Sequence, residues 1–168
     1  MSEKEIQPGD EYQAIMVRTD IKGFEDLIGN IEPSFSIAKG AYATELSLMT
    51  GKPETFYKIT GNGEPETFCL AINRKNIVLG FVMLEYDIRT KTLWTSHVYV
   101  RPEARHQGVY RTMLARIKMF AKATGMAQLF SIVHTKNELS KTVHKKSGFK
   151  RRWIGYELEL ENDDAKKD

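Results

Sequence analysis

The chain has 168 residues, of which 41% are hydrophobic and 28% are charged, and these proportions predict one soluble domain with a substantial core. Its net charge is only +3, so the overall field favours neither nucleic acid nor a membrane surface. No apolar stretch approaches the ~20 residues of a membrane span, and Met1–Glu5 contains no hydrophobic signal core, so we expect a cytoplasmic protein without membrane contact.

The N-terminal part of the chain predicts one strand followed by two helices. Residues 1–11 are polar and of mixed charge, and we expect them to be flexible. Tyr12–Arg18 has the composition of a strand. Apolar residues then recur at helical spacing from Phe24, and Pro33 predicts the start of a second helix, because proline is favoured in the first helical turn. Gly51 is expected to end that helix.

The middle of the chain predicts three antiparallel strands. Thr67–Ile72 and Ile77–Ile88 are joined by Asn73–Asn76, a polar link of hairpin length. The second of these strands is apolar over most of its length, as expected for a central strand that is covered on both faces. The chain then turns into Leu93–Val100, which we expect to pair with it.

A long amphipathic helix follows Gly108. Its apolar positions recur every three or four residues, and Gly125 is expected to cap its C-terminus. Gln128–His134 alternates as a strand does, and because a helix separates it from Leu93–Val100, we expect these two strands to be parallel.

The C-terminal part predicts a short helix and one more strand. The helix begins after Asn137, a good N-cap, and ends at Gly148. Residues 154–160 alternate between apolar and polar side chains, and residues 162–168 form a charged tail. The predicted order β-α-α-β-β-β-α-β-α-β gives an α/β fold with a mixed central sheet flanked by helices.

The segment from Leu93 to Gly125 predicts an anion site. Pro102 ends a strand, a loop containing Gly108 follows, and a helix begins directly after the loop. The first N–H groups of a helix have no partner within it and lie at the positive end of the helix dipole. A phosphate is the most natural ligand for such a loop.

Two motifs in this part of the chain resemble one family. The motif Arg105-x-x-Gly108-x-Tyr110 follows Val98-x-Val100 and resembles the Arg/Gln-x-x-Gly-x-Gly/Ala signature of the GCN5-related N-acetyltransferases (GNAT), which holds the pyrophosphate of acetyl-CoA. The second motif resembles the family's Asn-x-x-Ala-x-x-Leu-Tyr-x-Lys-x-Gly-Phe segment, and it reads Asn137-x-x-Ser140-x-x-Val143-His144-x-Lys146-x-Gly148-Phe149. Two positions depart from the pattern, because Tyr110 replaces a small residue and His144 replaces a tyrosine.

The resemblance implies a fold and an activity. It implies a single GNAT-like domain over residues 12–161, with acetyl-CoA as a co-substrate. Since no Cys/His cluster has metal-ligand spacing, we also expect no metal. The resemblance also implies transfer of the acetyl group to a primary amine of a small molecule or peptide, by direct attack in a ternary complex. The cofactor-binding residues that it implies are Val98, Tyr99, Val100, Arg105, His106, Gln107, Gly108, Val109, Tyr110, Arg111, Asn137 and Lys146.

Two histidines are candidates for catalysis. His144 occupies the position of the family's thiolate-protonating tyrosine, and its alternative is a histidine on a helix surface. His97 is one residue from the Val98-x-Val100 match and could take a proton from the amine. Strand alternation turns it away from the face of Val98 unless a bulge intervenes, so a core histidine is the alternative. Rival residues that the sequence does not rank are Ser96, Glu85 and Tyr86.

Other readings remain open. A basic run could attract the 3′-phosphate of CoA or form a solvated helix face; it consists of Lys141, Lys145, Lys146, Lys150, Arg151 and Arg152. Contact with nucleic acid is a weaker alternative, since the net charge is modest. The departures at Tyr110 and His144 also fit a CoA-binding module without turnover. The sequence does not identify the acceptor, and it does not decide whether the protein forms a homodimer.

Overall fold

A computed structural model describes residues 11–18, 24–55 and 67–152. The chain divides into two compact units, Met1–Asn137 and Glu138–Asp168. Residues 1–10 of the predicted flexible N-terminus, the predicted strand at 154–160 and the tail at 162–168 lie outside the described residues.

The first unit is built on a mixed sheet of five strands in the order β1-β2-β3-β4-β5. The strands are β1 (Tyr12–Arg18), β2 (Thr67–Asn73), β3 (Val78–Asp87), β4 (Thr92–Val100) and β5 (Gln128–Ser131). Neighbours from β1 to β4 are antiparallel, whereas β4 and β5 are parallel. These findings confirm the predicted α/β class and both strand orientations.

The helices of this unit cover both faces of the sheet. Helix α1 spans Phe24–Thr50, helix α2 spans Val109–Ala123, and a short 3₁₀ helix spans Pro102–Ala104. On one face, Phe35 of α1 packs edge-on against Phe68 and Phe81, with ring centroids 5.3 and 5.8 Å away. On the other face, Met113 of α2 belongs to a separate buried apolar cluster. Strand β2 is buried along its whole length and β3 is buried through Leu84, as the apolar run predicted.

The prediction of two N-terminal helices was wrong in one respect. The structure has one continuous helix, α1, with Pro33 inside it. Proline has no N–H for the carbonyl four residues earlier, which here belongs to Gly29. Gly29 is exposed, so water can satisfy that carbonyl and the helix continues through the proline.

The ends of α2 lie where its glycines predicted. Gly108 precedes the helix at φ 85°, and Gly125 follows it at φ 72°. The N–H of Met126 donates to the carbonyl of Ala121 over 2.8 Å, which completes a glycine-terminated helix end.

The second unit contains helix α3 (Glu138–Lys146). After it, the N–H of Ser147 donates to Val143 and that of Phe149 donates to His144, so the chain closes over the last turn at Gly148, whose φ is 88°. No helix in the described part of the chain is long and apolar enough to cross a membrane.

Candidate active site

The loop between β4 and α2 exposes a group of backbone N–H donors. His106 and Gly108 have positive φ angles of 63° and 85°. Gly108 is the N-cap of α2 and no side chain caps the helix. The first ladder bond of α2 runs from the N–H of Thr112 to the carbonyl of Gly108 over 3.0 Å. The N–H groups of residues 108–111 therefore precede the helical ladder, and together they form an anion-binding geometry.

The polar side chains of this loop are used to shape it. Arg105 donates from Nε to the carbonyl of Val100 over 2.9 Å and from a terminal nitrogen to the Glu45 carboxylate over 2.6 Å. The Gln107 side chain donates to a carbonyl within the loop over 2.8 Å, and the His106 side chain is exposed. In this arrangement the loop can meet an anion mainly through its backbone.

The start of α2 carries the first departure from the family's pattern. Val109 is buried, while Arg111 is exposed. The ring of Tyr110 packs against the apolar cluster between α2 and the sheet, and burial raises the pKa of its phenol to about 12. The tyrosine therefore contributes to the core beneath the helix.

Beyond Thr95, one edge of strand β4 has no neighbouring strand in the described part of the chain. Its pairing with β5 runs only from Thr92 to Thr95, whereas its pairing with β3 continues to Val100. Val98 and Val100 pack on the α2 side of the sheet, and the buried Tyr99 packs on the α1 side. The free edge at 96–100 can offer N–H and C=O groups to an extended ligand.

A β-bulge lies where this edge begins. Met83 pairs with His97 and Leu84 pairs with Thr95, so Ser96 is the extra residue of β4. Strict alternation would place His97 on the same face as Thr95, but the bulge moves it to the α1 face. His97 and Val98 still lie on opposite faces. The Ser96 Oγ is buried and has no hydrogen-bond partner among the described residues.

His97 forms a polar contact between β4 and α1. Its Nδ1 lies 2.8 Å from the hydroxyl of Tyr42, and the two rings meet edge-on with centroids 5.6 Å apart. Burial lowers the pKa of His97, and the negative charge of Glu85 opposes that shift. Burial also raises the pKa of Tyr42 to about 12, with a smaller contribution from Glu54. At neutral pH, His97 is therefore an uncharged imidazole that can accept a proton.

His144 lies in the second unit. It is buried, and its Nδ1 lies 2.8 Å from the carbonyl of Ser140. A carbonyl can only accept, so Nδ1 carries the proton and Nε2 is the nitrogen that titrates. Burial lowers the pKa of His144, and the Ser140 hydrogen bond acts in the opposite direction. The alternative interpretation of His144, a histidine on a helix surface, is therefore wrong.

The remaining predicted residues lie on the surface or at helix ends. Asn137 precedes α3 and donates from its backbone to His134 over 2.9 Å. Lys146 lies at the end of α3 and is exposed. The other members of the basic run are also exposed. Of the rival residues, Glu85 is exposed, and the ring of Tyr86 packs edge-on against that of Phe120, with centroids 6.0 Å apart. Within the described residues, no group of three or more His, Cys, Asp or Glu side chains could hold a metal ion.

Tyr42 and Tyr12 are not among the site residues that the sequence predicts. Tyr42 lies on the apolar stripe of a predicted helix, a position that is typical of a core residue. Its hydroxyl was the only sequence signal of a further role, because a buried phenol usually has a hydrogen-bond partner.

Comparisons with known proteins agree with this fold. The model of the acetyltransferase (GNAT) family matches residues 36–149. No curated protein sequence matches the chain significantly.

Several solved structures have a similar fold. A ribosomal-protein-alanine N-acetyltransferase from Brucella melitensis biovar Abortus 2308 is 12% identical with a TM-score of 0.63, covering 90% of this chain and 100% of that one. A possible acetyltransferase from Clostridium difficile 630 is 16% identical with a TM-score of 0.59, covering 89% and 99%. The aminoglycoside N-acetyltransferase AAC(6')-Iy in complex with CoA is 14% identical with a TM-score of 0.55, covering 90% and 99%.

Proposed function

The chain belongs to the acetyltransferase (GNAT) family, and from this premise we propose that it transfers the acetyl group of acetyl-CoA to a primary amine by direct attack in a ternary complex. One observation carries the proposal: the free edge of β4 leads into a loop with uncapped helix N–H groups. The edge suits the pantetheine arm and the loop suits the pyrophosphate. The acceptor is an amine of a small molecule or a peptide.

His97 is the proposed general base. A primary amine of pKa ~10 is mostly charged at neutral pH and must lose a proton before its lone pair can attack the thioester. An imidazole whose pKa is lowered by burial is ready to take that proton. The neutral amine then bonds to the carbonyl carbon and the C–S bond breaks. The nitrogen loses its second proton to solvent, which leaves a neutral amide, and the departing thiolate takes up a proton to become the thiol of CoA.

Donors for the developing oxyanion are proposed along the free edge. The backbone N–H groups of Val98 and Val100 belong to this part of β4, and the Ser96 hydroxyl is buried without a hydrogen-bond partner in the described residues. A buried hydroxyl without a partner is costly, so a bound ligand that accepts from it recovers that cost. Such donors stabilise the negative charge on the carbonyl oxygen in the transition state.

Acetyl-CoA should bind the wild-type protein even though Tyr110 replaces the family's small residue. Its ring packs in the core cluster, so we expect the pyrophosphate loop to be open. A ligand at 100 times its Kd stabilises a protein by about 2.7 kcal/mol, which raises Tm by several degrees for a domain of this size. Differential scanning fluorimetry with acetyl-CoA measures this shift. An unchanged Tm at saturating acetyl-CoA would contradict the cofactor assignment.

Turnover distinguishes an enzyme from a CoA-binding module. We expect thiol release when the protein is given acetyl-CoA and a panel of amines that includes aminoglycosides, polyamines, amino acids and lysine peptides. Labelled acetyl-CoA in a lysate, followed by mass spectrometry, identifies the acceptor. CoA affinity without thiol release on any amine would favour the module.

His144 is the proposed donor of the proton that the leaving thiolate takes up. Because burial lowers its pKa, only a small fraction is protonated at neutral pH, and that fraction grows as the pH falls. His144→Phe retains an aromatic ring beside Phe149, whose centroid lies 5.0 Å away. We expect turnover to fall by about tenfold at pH 7, below the usual range for general acids, with unchanged affinity for acetyl-CoA.

The pH dependence provides the control for His144. The ratio of wild-type to His144→Phe turnover should increase toward low pH, where the imidazolium is more populated. His144→Tyr restores the family's usual residue and should recover part of the rate. Equal rates of wild type and His144→Phe at every pH would assign His144 a structural role.

A further inference from the structure

Tyr12 connects strand β1 to the phosphate loop across 95 positions of sequence. Its hydroxyl donates to the carbonyl of Gln107 over 3.0 Å. Its oxygen lies 3.5 Å from the hydroxyl of Thr112 in the first turn of α2. The ring packs against the apolar cluster on the α2 side of the sheet. Tyr12 is therefore held from below by the core and contacts the loop and the helix start through a single oxygen.

The hydrogen bond to Gln107 determines the orientation of the next N–H. In a trans peptide the C=O and the N–H point in opposite directions, and no described peptide bond is cis. The carbonyl of Gln107 points to Tyr12, so the N–H of Gly108 points away from Tyr12. This N–H belongs to the group of donors at residues 108–111 that precede the helical ladder.

The same contact keeps a carbonyl away from the proposed anion. A rotation of the peptide between Gln107 and Gly108 would exchange the N–H for a carbonyl oxygen, which repels phosphate. Such rotations are easiest where φ is positive and the chain has a glycine, as it does at Gly108. A Cβ at Gly108 would lie 3.4 Å from the Tyr12 oxygen, so position 108 is next to this hydroxyl.

We propose that Tyr12 is a positioning residue for the pyrophosphate of CoA, which orients the Gly108 N–H by holding the Gln107 carbonyl. The inference rests on the proposed function, because it needs CoA in this loop. It adds a residue of β1 that lies outside the loop and outside both sequence motifs. Tyr12 does not touch the reacting atoms, so its effect is on cofactor affinity and not on the chemical step.

Tyr12→Phe tests the inference because it removes only the hydroxyl. We expect the Kd for CoA, measured by calorimetry, to rise by about three- to tenfold, the value of one hydrogen bond. The KM for acetyl-CoA should rise by a similar factor while kcat is unchanged. Activity with S-acetylpantetheine, which lacks the pyrophosphate, should be the same in both proteins. Gln13→Ala, at the exposed neighbouring position of β1, is the matched control. It should change neither the Kd for CoA nor the activity with S-acetylpantetheine.

The possible results separate this inference from the proposed function. If wild type binds CoA and the folded Tyr12→Phe variant binds it equally well, the role of Tyr12 is refuted and the proposed function stands. An equal loss of activity with acetyl-CoA and with S-acetylpantetheine would also refute the role of Tyr12, since that pattern indicates a general structural effect. If wild type binds no CoA, both proposals fail. A Tm measurement on each variant establishes that it is folded.

Discussion

Gly108→Glu is expected to abolish the binding of acetyl-CoA. Gly108 is the N-cap of α2 at φ 85°, where any other residue pays about 1–2 kcal/mol of backbone strain. The new side chain would begin 3.4 Å from the Tyr12 oxygen, beside the N–H groups proposed to hold the pyrophosphate. Its carboxylate would compete for those N–H groups and repel the phosphates. Calorimetry with CoA on the folded variant measures the loss.

The other end of the same helix provides a matched control. Gly125 has a similar φ of 72°, and a Cβ there would meet nothing within 4 Å. Gly125→Glu therefore adds the same charge and similar backbone strain, but far from the phosphate loop along α2. We expect it to lower Tm to a comparable degree and to leave CoA affinity unchanged. Affinity near the wild-type value in Gly108→Glu would remove the cofactor from this loop.

The parts of the fold that were predictable depend on local patterns. Strand β1 has the ends that were predicted, and β4 begins one residue earlier than predicted. Both strands were recognisable because they are runs of β-branched and aromatic residues that end at turn residues. Both ends of α2 follow from glycines that adopt positive φ. The parallel orientation of β5 follows from the helix that separates it from β4.

The parts that were not predictable depend on pairing between distant segments. Pro33 gives the same local signal at the start of a helix as inside one, and only the structure shows that α1 continues through it. The bulge at Ser96 has no local signature, since it arises from the register of β4 against β3. The hydrogen bond between Tyr42 and His97 joins residues 55 positions apart.

The same limit explains the outcome for His97. Alternation along β4 correctly separated the face of His97 from that of Val98, but it did not identify what His97 meets. The bulge places the imidazole on the α1 face, and Tyr42 provides a hydrogen-bond partner there. A histidine that is half-buried, uncharged and held at Nδ1 has the properties of a general base, and also those of a satisfied core histidine. Kinetics must separate these two roles.

His97→Gln is expected to lower kcat/KM for the acceptor by about 10²- to 10⁴-fold, the usual contribution of a general base. Glutamine has a similar size and can still bond to the Tyr42 hydroxyl, but it takes up no proton. The base is active only when neutral. Since burial lowers the pKa of His97 below its usual 6.5, the contribution of this base to wild-type kcat/KM should rise with pH through that lowered pKa and be complete at neutral pH. This rising limb should be absent from the variant.

Two companion variants decide between catalysis and packing. Tyr42→Phe removes the hydroxyl that meets Nδ1 but keeps the ring against Phe81, where the centroids lie 5.6 Å apart. Tyr42→Phe should lower kcat/KM for the acceptor less than His97→Gln does. It should retain the rising pH limb, because the base is still present. His134→Gln replaces a histidine whose Nδ1 meets only a nearby backbone N–H, that of Lys136, among its described contacts, and it should leave the rate unchanged. If His97→Gln kept the rate and the pH limb of wild type, His97 would be a core histidine, and another group or the solvent would deprotonate the amine.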